Sequence, residues 1–579
     1  MQPWDAAPGA VSQPTERTLI STPYELNQQD VPLATGADTG TVYGIAYDRE
    51  HQRIFSAAYA KRGSAYGPGG PGAIYVTDLT STSYPLTGTT SQFATVPNAG
   101  TDNHDLDTNQ DYAFFDHVGK ESLGDIDVTD DDRYLFGVNM FDQTVFVYDL
   151  EGDTYLGSYP IPNPGCGADW RPMGTGTGIG TAYVGGVCSG QTDQDMSELS
   201  AHVYEFDPAT GAFGAEVVDQ SLTYARGRGY NGTTCTGAIE GGSEGRWFSW
   251  VSDFPAGPNE QRATGCDGVN GISTGNYWIA YPTPMLDDIE TETNGDLVIA
   301  FRDRFTDQVG FHSAEMNANG VFSQTGEPGG GGDVLRGCRL TDGTFVLDPN
   351  FDPATQTLAP GSVCTDNNDG STNSGSQAHT YREYYTGDWR TGYHEEALYG
   401  GIALSRVEPN LISSGFDSTG EVWTQGISAV NRNGALATGT LGVRTDDNTV
   451  DQFGKGSGMA DLEVLCDQAP LQIGNRIWAD SNDNGVQDAG EPAIGGVTVH
   501  LYDALGNLIG TTTTNADGTY LFDDSNVTGG LTPSRSTTPT TTPPAVPSRA
   551  ECPRRRTPGT TSTTPTASSH RAAPIPRCP

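Results

Sequence analysis

The sequence predicts an all-β protein: a β-propeller of about six blades, then a smaller calcium-binding β module, then a disordered tail. Three observations predict this. Short runs with period-two alternation recur over residues 15–468, separated by tight turns and without helical periodicity. A twelve-residue oxygen-rich loop at 480–491 lies between two more runs of the same kind. Beyond Leu531 the chain turns to Thr, Pro and Arg with no apolar period.

Residues 1–14 read as a flexible N-terminus, and the head follows at 15–468. One repeat unit shows its grammar well. Gly124-Asp125-Ile126-Asp127-Val128 is followed by a DDDR turn, a strand over 134–138, an FDQ turn and a strand over 144–150. An earlier unit spans 42–47, 53–57 and 73–79. Further unit openings stand at 170–173 (followed by 181–184), 285–290 (followed by 296–301), 400–404 and 458–465, and a third-strand pattern recurs at 202–207. Strands and turns repeated in this way suit a propeller, with a multi-sheet sandwich as the competing architecture. Insertions such as 62–72 and 329–332 make the spacing irregular.

The module at 470–531 carries the most specific motif. Asp480, Asn482, Asn484 and Asp488 supply oxygen side chains at positions 1, 3, 5 and 9 of the loop. Gly485 stands at position 6, Val486 can offer its carbonyl, and Glu491 closes the loop at position 12. Calcium needs six to eight oxygens, and this alternation wraps one ion, so Ca2+ is the expected cofactor. The flanks, 473–478 and 497–502, alternate as strands, unlike the helices of an EF-hand. Together with Gly474-Asn475, Trp478, Pro492, Gly495-Gly496-Val497, Leu501-Tyr502-Asp503 and the run from Asn515 to Phe522, the loop resembles the B-type (SdrD B-like) domain of serine-aspartate-repeat surface proteins. The resemblance implies an extracellular β-sandwich stalk (Ig-like or prealbumin-like) stiffened by calcium, with Asn515 and Asp517 as added ligands. Some relatives carry a Lys–Asn isopeptide instead. The three lysines here, Lys61, Lys120 and Lys455, all lie outside the module, which excludes that crosslink within it. The 532–579 tail reads as a disordered Thr/Pro/Arg segment, or as an Asp-rich stretch in a shifted frame, since GAC read one base late gives ACG, a Thr codon.

Composition narrows the partners. Thirty basic against 73 acidic residues give a net charge of −43, which excludes a nucleic-acid footprint and suits a cation-rich exterior. There is no apolar run of eighteen residues for a membrane helix. The start, MQPWDAAPGA, has neither a basic n-region nor an apolar h-region. The expectation is an exported protein whose signal lies outside this sequence. Of nine cysteines none forms C-x-x-C; short gaps suggest pairing Cys166 with Cys188, Cys235 with Cys266 and Cys338 with Cys364, leaving Cys466 over, although spacing alone does not fix connectivity and buried free thiols are the alternative.

Three unit openings align as acid pairs two residues apart: Asp125 and Asp127, Asp288 and Glu290, Asp461 and Glu463. Residues two apart on a strand share a face, so six carboxylates can approach the propeller axis. They would hold calcium there, or they would bond backbone amides and fix blade geometry, the simpler of the two. The run Asp105-Leu-Asp107-Thr-Asn109-Gln-Asp111 alternates oxygens but lacks the loop glycine and closing Glu. His104, His117 and His394-Glu395-Glu396 are general acid–base candidates, without G-x-S-x-G or a second zinc histidine. Arg302-Asp303-Arg304 with Lys120 can bind phosphate, though surface ion pairs explain them more simply. The expected function is adhesion or structural display at the cell surface, with an extracellular protein or glycan as partner and association with the cell wall. A calcium-dependent hydrolase of phosphate esters or glycans is the alternative.

Overall fold

The computed structural model describes residues 14–81, 84–106, 111–178, 180–226, 246–253, 277–279, 281–309, 313–316, 322–328, 331–364, 384–385, 397–405, 408–416, 424–432, 439–445, 459–465, 473–479, 491–502 and 508–522. The chain divides into two units, the first ending at Asp467 and the second starting at Gln468.

The first unit is a β-propeller. Blade one contains Val42–Asp48, Arg53–Ala58, Ala73–Ser81 and Thr87–Thr95, each antiparallel to the next. Blade two contains Leu123–Val128, Tyr134–Asn139, Thr144–Asp149 and Thr154–Pro160. Blade three contains Trp170–Gly178, Thr181–Cys188, Ser200–Asp207 and Ala212–Ser221. Pro284–Thr291, Leu297–Asp303, Asp333–Arg339 and Phe345–Leu347 form blade four. Leu398–Leu404, Asn410–Phe416, Thr424–Asn431 and Gly439–Thr445 form blade five. The first strand of each blade is its inner strand. Inner strands of neighbouring blades pack on one another, and those of blades three and four pair in parallel at Gly176 and Ile289.

The sixth position differs from the rest. The opening expected at 458–465 is not a regular strand over residues 459–465. It stands beside a two-stranded antiparallel sheet of Arg17–Ser21 and Val31–Thr35. Leu462 and Val464 pack with Ile20, Tyr24 and the blade-five core, while Leu465 and Leu19 pack with Ile54 of blade one. Both ends of the head therefore meet between blades five and one. The junction leaves an apolar cavity of about 270 Å³ among Leu19, Ile20, Leu26, Ile412, Ile427 and Met459.

Strand antiparallelism sorts the connections onto two faces. On the face where inner strands end, turns are short: 49–52, 129–133, 150–153, 208–211 and 292–296. The long connections 59–72, 96–122, 189–199, 222–283, 304–332 and 348–397 leave and re-enter the blades on the face where the inner strands start. Two of the three expected disulfides are present, Cys166–Cys188 and Cys338–Cys364. Cys235, Cys266 and Cys466 lie outside the described residues.

The second unit pairs Ile473–Arg476 with Thr519–Phe522 and Thr498–Tyr502 with Leu508–Thr513, both antiparallel. Val499 and Phe522 are its buried centre, flanked by Ile477, Leu501, Ile509 and Tyr520. Alternation of these apolar residues with Thr, His and Asn explains the two thin sheets.

Candidate functional site

The acid pairs of the head do converge, and backbone hydrogen bonds account for four of the six. Asp125 Oδ2 accepts from the amide of Thr175 at 3.2 Å and from its hydroxyl at 3.0 Å. Asp288 Oδ2 accepts from Ile402 N at 2.7 Å, and Glu290 Oε1 from Leu404 N at 3.1 Å. Asp461 Oδ2 accepts from Ile45 N at 2.9 Å and its Oδ1 from Leu462 N at 2.7 Å. The acids thus stand at positions two, four and six of the ring, and the amides that join them to their neighbours on blades three, five and one. The amide that meets the first acid of each pair follows a glycine: Gly44-Ile45, Gly174-Thr175 and Gly401-Ile402. Each glycine permits close approach on the other side of its strand, to the inner segment that carries the next acid pair. A Cβ on Gly44 would stand 2.7 Å from Ile126 N, and one on Gly401, whose φ is +55°, 2.4 Å from Ala460 O. Around the axis, interfaces clasped by a carboxylate thus alternate with interfaces opened by a glycine, a threefold repeat.

Proton affinity follows from this crowding. Burial first, then the nearby charges of Asp461 and Asp127, raise Asp125 well above the usual carboxylate range. Asp288 is raised by burial and by Asp461, Asp125 and Glu290. Burial lifts Asp127 to about 7, and Asp461 to about 8 even though Ile45 N and Asp288 bond to it. Glu463 is raised too, by desolvation and then by Glu290 and Asp127, although its contact with solvent moderates the effect. Asp127, Glu290 and Glu463 line a polar cavity of about 70 Å³ with Arg49 and Thr177 where the inner strands end. Among the described residues no three His, Cys, Asp or Glu side chains are grouped to hold a metal ion.

A group bound to its proton more tightly in the folded state stabilises the fold at low pH, and that contribution is lost as pH rises through the folded value. For Asp127 and Asp461 the window runs from about pH 4 to about pH 8. The head is therefore expected to melt several degrees higher at pH 5 than at pH 8. Scanning calorimetry checks this, and a flat or opposite profile would contradict the shared protonation of the axis.

Other sequence candidates have structural partners. Asp111, from the acidic run, accepts from Gly63 N and Asp105 N at 2.8 Å each and from His104 Nδ1 at 2.5 Å. It anchors a connection, while Asp107 and Asn109 lie outside the described residues, as does His394-Glu395-Glu396. His117 Nδ1 lies 2.8 Å from Glu121. Arg302 and Arg304 are not surface ion pairs, because both are fully buried. Arg302 forks onto Asp307 at 2.6 and 3.0 Å. Arg304 binds the carbonyls of Val118 and Val251, tying two long connections together. Burying guanidinium groups demands such saturation with acceptors.

In the second unit, Asp480, Asn482, Asn484, Val486 and Asp488 lie outside the described residues. The neck of their loop is described. Trp478 and Ala493 form an isolated β-bridge, Ala479 N donates to Pro492 O at 2.9 Å, and Ile494 N to Ile477 O at 2.9 Å. Glu491 stands at the loop's exit. The turn at 515–518 packs onto the same neck: Ile477 N donates to Gly518 O at 2.8 Å, and a Cβ on Gly518 would stand 3.1 Å from Ala493 Cβ. Asp517 Oδ1 accepts from Thr519 N at 3.0 Å and Thr519 Oγ1 at 2.6 Å, and Asn515 Nδ2 donates to Thr519 Oγ1 at 3.1 Å. Among the described residues nothing donates to Asp517 Oδ2 or Asn515 Oδ1. These oxygens and a strand-pinned neck fit a hard cation.

Comparison with known proteins agrees with the second unit. Residues 471–541 match the SdrD B-like domain family. Serine-aspartate repeat-containing protein D of Staphylococcus aureus (strain Newman) is 42% identical over 91 residues, 15% of this chain and 7% of that protein. Colossin-A of Dictyostelium discoideum is 26% identical over 528 residues, 88% of this chain and 4% of its own length. Colossin-C of the same organism is 26% identical over 509 residues, 85% of this chain and 44% of its own length. The chain thus spans less than half of each of these relatives.

Proposed function

We propose that this chain, which carries an SdrD B-like domain at 471–541, is part of an extracellular or cell-surface adhesive protein, its propeller head displayed on a calcium-stiffened module. The observation that carries the reading is that domain, joined to a head whose long connections leave and re-enter the blades on one face. Loops held by a rigid scaffold are where propellers and sandwiches place binding residues. Two disulfides and the charge of −43 suit an oxidising, cation-rich exterior. No helix among the described residues is long and apolar enough to cross a membrane. The partner is an extracellular protein or glycan bound on the face where the inner strands start. Arrays of matrix proteins and glycans, probed with the whole chain, test this. Saturable binding without turnover supports it, and turnover of a phosphate ester or glycan would replace it with an enzyme.

Calcium, when bound, supplies a multivalent crosslink among oxygens. Asp480, Asn482, Asn484, Asp488 and Glu491, the Val486 carbonyl, and Asn515 and Asp517 from the neighbouring turn would hold it. Binding to the folded state alone stabilises by about 2.7 kcal/mol at a hundredfold excess over the dissociation constant. Calcium is therefore expected to protect the 468–531 region from proteolysis and to leave the head's melt unchanged. Asp480→Ala combined with Glu491→Ala should abolish the protection. Protection that survives in this double variant would assign calcium elsewhere.

A further inference from the structure

On the face with the long connections, one spot runs against the charge of the chain. Asp116 Oδ1 receives three donors: Lys120 Nζ at 2.7 Å, Gln191 Nε2 at 3.0 Å and Arg304 Nη2 at 3.2 Å. They come from three connections, 96–122, 189–199 and 304–332. Arg171, at the start of the blade-three inner strand, reaches the same place. Its Nη2 donates to Gln191 Oε1 at 3.2 Å, and its buried Nε has no hydrogen-bond partner. The guanidinium groups of Arg304 and Arg171 lie 4.2 and 5.5 Å from the Trp250 ring centroid. Three cations thus gather around Asp116, with Asp169 as a further carboxylate acting on Arg171.

We propose that Lys120, Gln191 and Arg171, braced by Arg304, form a subsite for an anionic oxygen group of the ligand: a sulfate, a phosphate or a carboxylate. This rests on the proposed adhesive function and names the chemistry its binding face selects. Asp116 already shows that the donors converge on one anionic oxygen. The spot is open, with the side chain of Asp116 38% and that of Lys120 24% exposed. Asp116 takes one hydrogen bond from Lys120, whose ammonium has three N–H donors. The partly exposed Lys120–Asp116 pair contributes little to stability, so folding alone gives small reason to bring Lys120 and Gln191 from separate loops to one point. Arg304 is different: its buried guanidinium is held by the carbonyls of Val118, Val251 and Asp116, and it supplies a fixed positive floor. Burial, then Arg304, lowers Lys120 to about 8, so it remains charged at neutral pH. An anion beside it would hold that proton more firmly.

The test is calorimetric titration of the whole chain at low ionic strength with inorganic sulfate, inorganic phosphate and acetate. At least one is expected to bind in the millimolar range, and the preferred ion distinguishes tetrahedral from planar ligand groups. Lys120→Gln and Gln191→Ala should each weaken binding about tenfold, the loss of one charge-assisted or well-placed hydrogen bond. Asp116→Asn removes the internal competitor and should tighten it by a similar factor. Thermal melts establish that each variant is folded. If Asp116→Asn does not fold, Lys120→Gln in the otherwise unchanged chain decides the matter. Absence of binding by all three ions, or binding unchanged in Lys120→Gln, overturns the subsite. Array binding that persists without any anion effect leaves the adhesive function standing and removes only this inference.

Discussion

Asp461→Ala is expected to destabilise the head by about 2–3 kcal/mol, while Asp461→Asn costs much less. The carboxylate bonds Ile45 N and Leu462 N, and alanine leaves both without that acceptor. An unsatisfied buried donor costs about 1–3 kcal/mol. The Ile45 bond also joins the last segment of the ring to the first blade across 416 residues of sequence, so its loss loosens the closure itself. Asparagine keeps a carbonyl oxygen for Ile45 and removes a charge from beside Asp288 and Asp127. Asp461→Asn should therefore flatten the fall in the head's stability between pH 5 and pH 8. Denaturant unfolding at both pH values separates the two roles. Equal losses in Ala and Asn would mean that charge, rather than the amide clasp, matters at this position.

Removing the Cys338–Cys364 disulfide through a Cys338→Ala, Cys364→Ala double substitution is expected to cost about 3–4 kcal/mol. The two cysteines are 26 residues apart in sequence, and releasing a loop of that size restores unfolded-chain entropy of this order. The bridge ties the third strand of blade four to the segment beyond Phe351. Both cysteines are buried with Val346 and Phe351, so truncation also leaves a small cavity. The variant should unfold at lower denaturant concentration, with an earlier loss of tryptophan burial. A loss below about 1 kcal/mol would show that this segment is already held by its packing and that the crosslink constrains little.

Much of the fold is legible in the sequence because the first and second strands of the blades are local patterns. Runs such as Val42–Asp48 and Tyr134–Asn139 are apolar where they pack and bounded by turn residues, and their observed limits lie within a residue or two of the expected ones. The outermost strands are not legible. Thr87–Thr95 and Thr154–Pro160 have few or no buried residues, so no alternation betrays them. The opening at 458–465 is marked by its acid pair, and its place in the ring is as expected. Its backbone is irregular all the same, because the sixth position is assembled from both ends of the head. Asp116 and Gln191 carry no motif, and Arg171 stands inside a strand pattern without any sign of function.

Residue order alone was enough for the all-β class, the oxygen spacing of the 480–491 loop, and the acid pairs that share one face of an inner strand. Each of these depends on residue identity within about a dozen positions, where backbone periodicity and ion coordination operate. What those acids meet could be known only from packing in three dimensions. A carboxylate two residues from another says nothing about whether a cation or a neighbouring amide will satisfy it. The answer came from the amides of Ile45, Thr175 and Ile402 on the adjoining inner strands, which stand within hydrogen-bonding distance of the three acids. The donors around Asp116 were assembled in the same way, because three connections distant in sequence leave one face of the ring side by side, and hydrogen bonds depend on distance in space.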